Sequence, residues 1–160
     1  MAFESLTDEK IQQLALMPKR VKNANARLIP DANHDKKEFL LESEDRTEQF
    51  RVFVRQNKTL TDDFSCGIQW IPAAVEPLIL ARFNGSSHEH PNRLEGEKLS
   101  LICHIHRTTE RYIRANLAPE GYAEATQGYT TCNGALHALT VEFHISGIET
   151  IPDHPELSLT

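Results

Sequence analysis

The sequence predicts an α+β protein: an antiparallel sheet of about five to six strands, with an N-terminal and a C-terminal helix packed on it. Three observations lead there. Apolar residues recur at helical spacing before Pro18, at strand spacing from Phe39 to Phe83, and at helical spacing again from Cys132 to Phe143. A run of strands bracketed by helices favours this class over an alternating α/β order.

Thr7, followed by Asp8 and Glu9, reads as an N-cap with acids in the first turn. Ile11, Leu14 and Ala15 then give an i, i+3, i+4 stripe that Pro18 should stop. Leu28-Ile29 is a possible short strand, and Asp31 to Lys37 reads as a charged turn. Beyond it the period changes to two. Phe39 and Leu41 begin one strand, Phe50, Val52 and Val54 mark the next, and Phe64, Cys66, Ile68 and Trp70 a third. Leu78 to Phe83 is almost continuously apolar, the pattern of a central strand. Glu44-Asp45-Arg46 and Gln56-Asn57-Lys58 are polar connections of hairpin length. Leu99 to Thr109 reads as a fifth strand, with Leu99, Leu101, Cys103 and Ile105 on its apolar face and His104, His106 and Thr108 on the other. Residues Cys132 to Phe143 suit a helix capped by Thr131 or Asn133 and stopped by Gly147. Read instead as a strand to Ile145, the same segment would favour a closed β-barrel.

At 160 residues the chain is expected to form one domain over 1–150, with a proline-containing tail over 151–160. Apolar residues make up 39% and charged residues 25%, ordinary values for a globular protein. A net charge of −6 argues against a generally basic nucleic-acid binder. Two basic groups run against that balance: Lys19, Arg20, Lys22 and Arg27, and then Arg107, Arg111 and Arg114. Both are expected to be solvated surface. Cys66, Cys103 and Cys132, without a Cys-x-x-Cys pair, fit buried thiols in a reducing compartment. With no apolar run of membrane-spanning length and no signal-peptide pattern at Met-Ala-Phe-Glu-Ser, a cytoplasmic location and no membrane partner are expected.

The densest chemistry lies in Phe83-Asn84-Gly85-Ser86-Ser87-His88-Glu89-His90-Pro91 and in Cys103-His104-Ile105-His106, which hold half of the eight histidines. In an extended chain the two imidazoles of a His-x-His pair point the same way, about 7 Å apart. Imidazole titrates near neutrality and ligates metals, so such a face suits acid/base catalysis or a metal centre. His34 and His154 lie in polar loops and read as solvated, and Trp70 continues an apolar face and reads as core.

The layout resembles that of small phage and mobile-element proteins related to the TumE-type toxins of toxin–antitoxin pairs. The matching residues are Leu6-Thr7-Asp8-Glu9 at a helix start, Leu80-Ala81-Arg82-Phe83-Asn84-Gly85 leading into His88, the Cys103-His104-Ile105-His106 strand, and a helix near the end. The sequence departs from that pattern in its longer connection after His90 and in the region from Gly121 to Thr131. The resemblance implies a toxin-like or defence-related setting, with an antitoxin or a host defence protein as partner.

Three functional expectations follow. In the first, RNA or a nucleotide is bound or cleaved without metal: His88, His104, His106 and Arg82 are catalytic, and Asn84, Arg107 and Arg111 bind the substrate. Either Arg82 or Arg107 would stabilise charge on phosphorus. In the second, His88, His90, His104 and His106, or three of them with Glu95, hold Zn, Fe or Mn. His88-x-His90-x4-Glu95 is similar to the first cupin metal motif, but the second is absent, since Pro119-Glu120-Gly121 is followed by Tyr122, Ala123 and Glu124. In the third, the histidine face binds a protein partner without catalysis and no cofactor is involved.

Overall fold

The computed structural model describes residues 3, 5–23, 26 and 28–153. Arg27 and His154 lie outside them. Helix α1 (Asp8–Leu16) starts where the Thr7 side chain accepts the Lys10 amide, and it buries Leu14 completely. There follow β1 (Lys19–Val21), β2 (Ile29–Asp31), β3 (His34–Ser43), β4 (Gln49–Asn57), β5 (Phe64–Ile71) and β6 (Leu78–Asn84). A small hairpin, β7 (His90–Asn92) and β8 (Glu97–Leu99), precedes β9 (His104–Arg107) and the short α2 (Glu110–Arg114). The chain continues with β10 (Tyr122–Ala125), α3 (Cys132–Glu142) and β11 (Ile145–Ser146).

The fold is α+β, with a large sheet that runs β10-β9-β6-β5-β4-β3-β1-β11 and carries β2 beside β3. Every pairing in it is antiparallel except β1 with β11. It has nine strands among the described residues, more than the expected five or six. The additions are short strands of two to four residues, which have too few positions to show a period. The sheet is open, so the barrel alternative does not arise.

Alternation along the strands sorts the sheet into two unlike faces. On one, Phe39, Val52, Ile68 and Ala81 stand in a cross-strand row, beside a second row of Val54, Cys66, Phe83 and Ile105. Leu14 of α1 and Ala135, Leu136 and Leu139 of α3 join these residues in the core. Each large aliphatic side chain closed off there contributes about 1.5–3 kcal/mol. On the reverse face one row reads Glu38, Phe53, Gly67, Arg82, His106 and Ala123, and the next reads Arg55, Ser65, Asn84, His104 and Ala125. The Phe53 ring fills the space that a side chain at Gly67 would need.

Several sequence expectations are corrected. The segment Leu99–Thr109 is not one strand: Leu99 ends β8, Leu101 is 63% exposed in a loop, and regular pairing begins only at His104. The charged turn is confined to Ala32 and Asn33, where φ of Ala32 is 50°, because β3 already starts at His34. Helix α3 is capped by Thr131 as expected, but it stops at His144 (φ 55°) rather than at Gly147, which follows β11. Lys19 is not solvated surface. It is fully buried, and its Nζ donates to the carbonyls of Ala15, Met17 and Phe143 at the ends of α1 and α3. His34 is mostly buried too, with Nε2 3.2 Å from Asp63 Oδ2. No helix among the described residues is long and apolar enough to cross a membrane.

Candidate functional site

His104 and His106 lie on the reverse face of the sheet, away from the apolar core, because Ile105 between them takes the core side. They are nevertheless shut off from solvent, with 0% and 3% exposure. The segment after β6 closes over them. His88 stands edge-on to His104 at 5.0 Å between ring centroids, and His90 packs against both, 6.0 Å from His104 and 4.5 Å from His106. One ring nitrogen each from His88, His104 and His106 lies within 4.8 Å of the other two.

Hydrogen bonding fixes which nitrogen each buried ring leaves free. His104 Nδ1 is 2.8 Å from the carbonyl of Ile102, and His106 Nδ1 is 3.1 Å from that of Glu120. A carbonyl only accepts, so both Nδ1 atoms carry the proton and both Nε2 atoms keep a lone pair. Those two Nε2 atoms are buried with no hydrogen-bond partner among the described residues. Burial holds His104 below the ordinary imidazole value, although its bond to Ile102 opposes the shift. His106 is pushed down to about 3, first by burial and then by the neighbouring charge of Arg82. Both rings are therefore neutral near pH 7. His90 is held differently, since its Nε2 donates to the Gly121 carbonyl at 2.7 Å.

Three more buried polar atoms on this face lack partners among the described residues; Arg51 Nε lies on β4, three strands from β9, and the other two adjoin the histidines. Arg82 pairs in register with His106 and leaves Nε unbonded, while Asn84 pairs with His104 and leaves Oδ1 unbonded. Native proteins satisfy nearly all buried polar atoms, so four orphans on adjoining positions of two paired strands single this place out as the candidate site.

Of the residues singled out in the sequence, the fold thus brings together His88, His90, His104, His106, Arg82 and Asn84. It does not bring Arg107 or Arg111. Arg107 faces the helical side and is bonded to Glu124 at 2.6 Å and to Glu142 through both terminal nitrogens, which hold its pKa high. Arg111 is paired with Glu95 at 2.6 Å and lies over the Tyr122 ring. Glu95 is also bonded by the Tyr112 hydroxyl and Arg111 Nε, so its carboxylate is engaged there.

Comparison with protein families, with curated proteins and with solved structures finds no match for the chain.

Two structural residues escaped the sequence reading. Asn92 is 1% exposed and uses both ends of its amide on the backbone of Ala123, donating to its carbonyl (2.7 Å) and accepting from its amide (2.8 Å). It thereby docks the β7–β8 hairpin on the edge strand next to His106. Tyr129 donates to the carbonyls of Asn84 (2.8 Å) and His104 (3.1 Å), tying the two strand ends beneath the site. The turn signal Asn92-Arg93-Leu94-Glu95-Gly96 marks the hairpin in the sequence, whereas nothing local marks Tyr129.

Proposed function

We propose that His88, His104 and His106 hold a divalent transition-metal ion, zinc in the first instance, and that the centre acts on a phosphate ester bound by Arg82. The observation that carries this reading is the pair of buried, unpartnered Nε2 lone pairs beside His88, each fixed by a backbone acceptor on Nδ1. A histidine ligand commonly donates its second nitrogen to a carbonyl in this way, which sets the tautomer. All-imidazole donors suit Zn, Fe, Cu or Ni better than Mg or Ca. Without a carboxylate among them, Mn loses ground.

Ligands of a tetrahedral zinc stand about 3.4 Å apart, given Zn–N bonds of about 2.05 Å. The three rings need to close in by roughly an ångström, and exposed His88 on its loop has the freedom to do so. Three histidines would leave a fourth position open, and a zinc ion held there would supply an acidified water as nucleophile. Asn84 Oδ1 is a buried acceptor suited to orient that water. Arg82 supplies the positive charge that a phosphoryl oxygen needs.

A metal-free route is less well supported. It requires one imidazole to give a proton while another takes one. The buried pair presents two lone pairs and no acid, so the acid would have to come from exposed His88 alone.

The likeness to mobile-element toxins makes RNA the first substrate to try. Purified protein, loaded with zinc or treated with chelator, is incubated with RNA and with a chromogenic phosphodiester. Cleavage that needs metal and is lost in His104→Ala supports the proposal. Cleavage that survives chelation but not His104→Ala supports histidine acid/base catalysis instead. Metal binding without any cleavage removes the catalytic half of the proposal.

A further inference from the structure

We propose that Cys132 is an oxidation site, a thiol that reacts with hydroperoxides, and that Cys66 resolves it into a disulfide. The two residues come from packed but distant parts of the chain. Cys66 is fully buried in the middle of β5, and Cys132 is the first residue of α3, which lies over that strand. Their sulfurs are 3.9 Å apart, and Cys66 Sγ also lies 3.7 Å from the Cys132 carbonyl. Disulfide formation requires the sulfurs to approach by about 2 Å, which side-chain rotation and a small helix shift supply.

Cys132 is the member that the outside reaches. It forms part of the wall of a cleft of about 710 Å³ between the β3–β4 pair and the first turn of α3, with Phe39, Val54 and Leu136 as apolar walls. The cleft is remote from the histidines, none of which lines it. The sulfur–sulfur hydrogen bond with Cys66 favours the thiolate of Cys132, and the start of a helix does the same. Cys66 itself is pushed upward by that same bond and by burial, so the two thiols take different roles. Cys103, raised by burial and by Asp62 and Asp153, is the internal control.

The chemistry balances with a hydroperoxide as the oxidant. The Cys132 thiolate attacks the terminal peroxide oxygen, the O–O bond breaks, and the alkoxide or hydroxide leaves and takes a proton from water. Sulfur loses two electrons and becomes a sulfenic acid. Cys66 then attacks that sulfur, the S–O bond breaks, and hydroxide departs with the Cys66 proton as water. The product is the Cys66–Cys132 disulfide, which an external dithiol reverses.

The test treats the reduced full chain with equimolar hydrogen peroxide and follows it by intact mass and by peptide mapping. The expected result is loss of two hydrogens, a peptide cross-linked between Cys66 and Cys132, and a free Cys103. In Cys66→Ala a sulfenic acid on Cys132 is trapped by dimedone. In Cys132→Ser the rate of thiol loss falls by roughly tenfold or more. Oxidation of Cys103 ahead of Cys132, or no cross-linked peptide in the wild type, overturns the proposal. Cys132→Ser replaces a half-buried residue, so this arm stands even if Cys66→Ala folds poorly.

Discussion

Lys19 and the histidine cluster are both buried polar groups, and they are treated in opposite ways. The ammonium of Lys19 has three carbonyl acceptors at 2.8–3.0 Å and closes the ends of two helices at once. Burial lowers its pKa to about 8, yet each of those bonds is made. The histidine cluster and the two residues paired with it have two ring nitrogens, a guanidinium nitrogen and an amide oxygen with no partner among the described residues. An unpartnered buried polar atom costs about 1–3 kcal/mol, so a fold that leaves four together is carrying a cost that stability does not explain. Satisfied buried polarity holds this structure together. On the proposed reading, the cluster of unsatisfied polar atoms around the histidines is where it would meet a ligand.

Substitutions on each side test that contrast. Lys19→Met is expected to have the largest effect on stability, about 3 kcal/mol, because the helix-end carbonyls lose a charged donor. Chemical denaturation measures this, and zinc binding by the folded fraction should be unchanged. Asn92→Ala removes both bonds to Ala123 and undocks the hairpin. We expect a loss of about 2 kcal/mol and, through looser support of the histidines, about tenfold weaker zinc affinity in calorimetric titration.

The third test is pH. In metal-free protein the folded pKa of His106, about 3, lies below the ordinary imidazole value, so the unfolded chain takes up the proton first as pH falls. The stability this ring contributes is complete above about pH 6.5 and declines toward pH 3, by at most about 1.4 kcal/mol per pH unit. His106→Gln should flatten that part of the acid denaturation profile relative to wild type. The smallest change is expected for Arg82→Gln. It removes a side chain with an orphaned nitrogen, so stability should shift by less than about 1 kcal/mol. Zinc affinity should stay within about threefold while affinity for inorganic phosphate falls about tenfold or more, the signature of a substrate contact rather than a structural one.

The comparison also shows what a sequence exposes. Helix α1, strands β3 to β6 and helix α3 are legible because each is long enough to repeat its period and is punctuated by Thr7, Pro18, polar hairpin residues or Thr131. His104 and His106 are legible as a pair because one intervening residue puts both on the same face of any extended segment. The place of Arg107 is legible too, since alternation past Ile105 sends it to the apolar side, where it pairs with Glu142. The short β7, β8 and α2 carry no period, and the engagement of Glu95 by Tyr112 depends on a packing that only the folded chain displays. Lys19 is the plainest case. A lysine among basic neighbours reads as surface, and only the meeting of two helix ends makes it an interior cap.

The central claim is that the free imidazole nitrogens bind a metal. Its most direct test is elemental analysis and zinc titration of the purified protein beside the His104→Ala/His106→Ala double variant, with folding of both checked by circular dichroism. The expected result is one tightly bound ion per wild-type chain and at least a hundredfold weaker binding in a folded double variant. Equal zinc binding by both proteins, or none by the wild type at any concentration below the millimolar range, would contradict it.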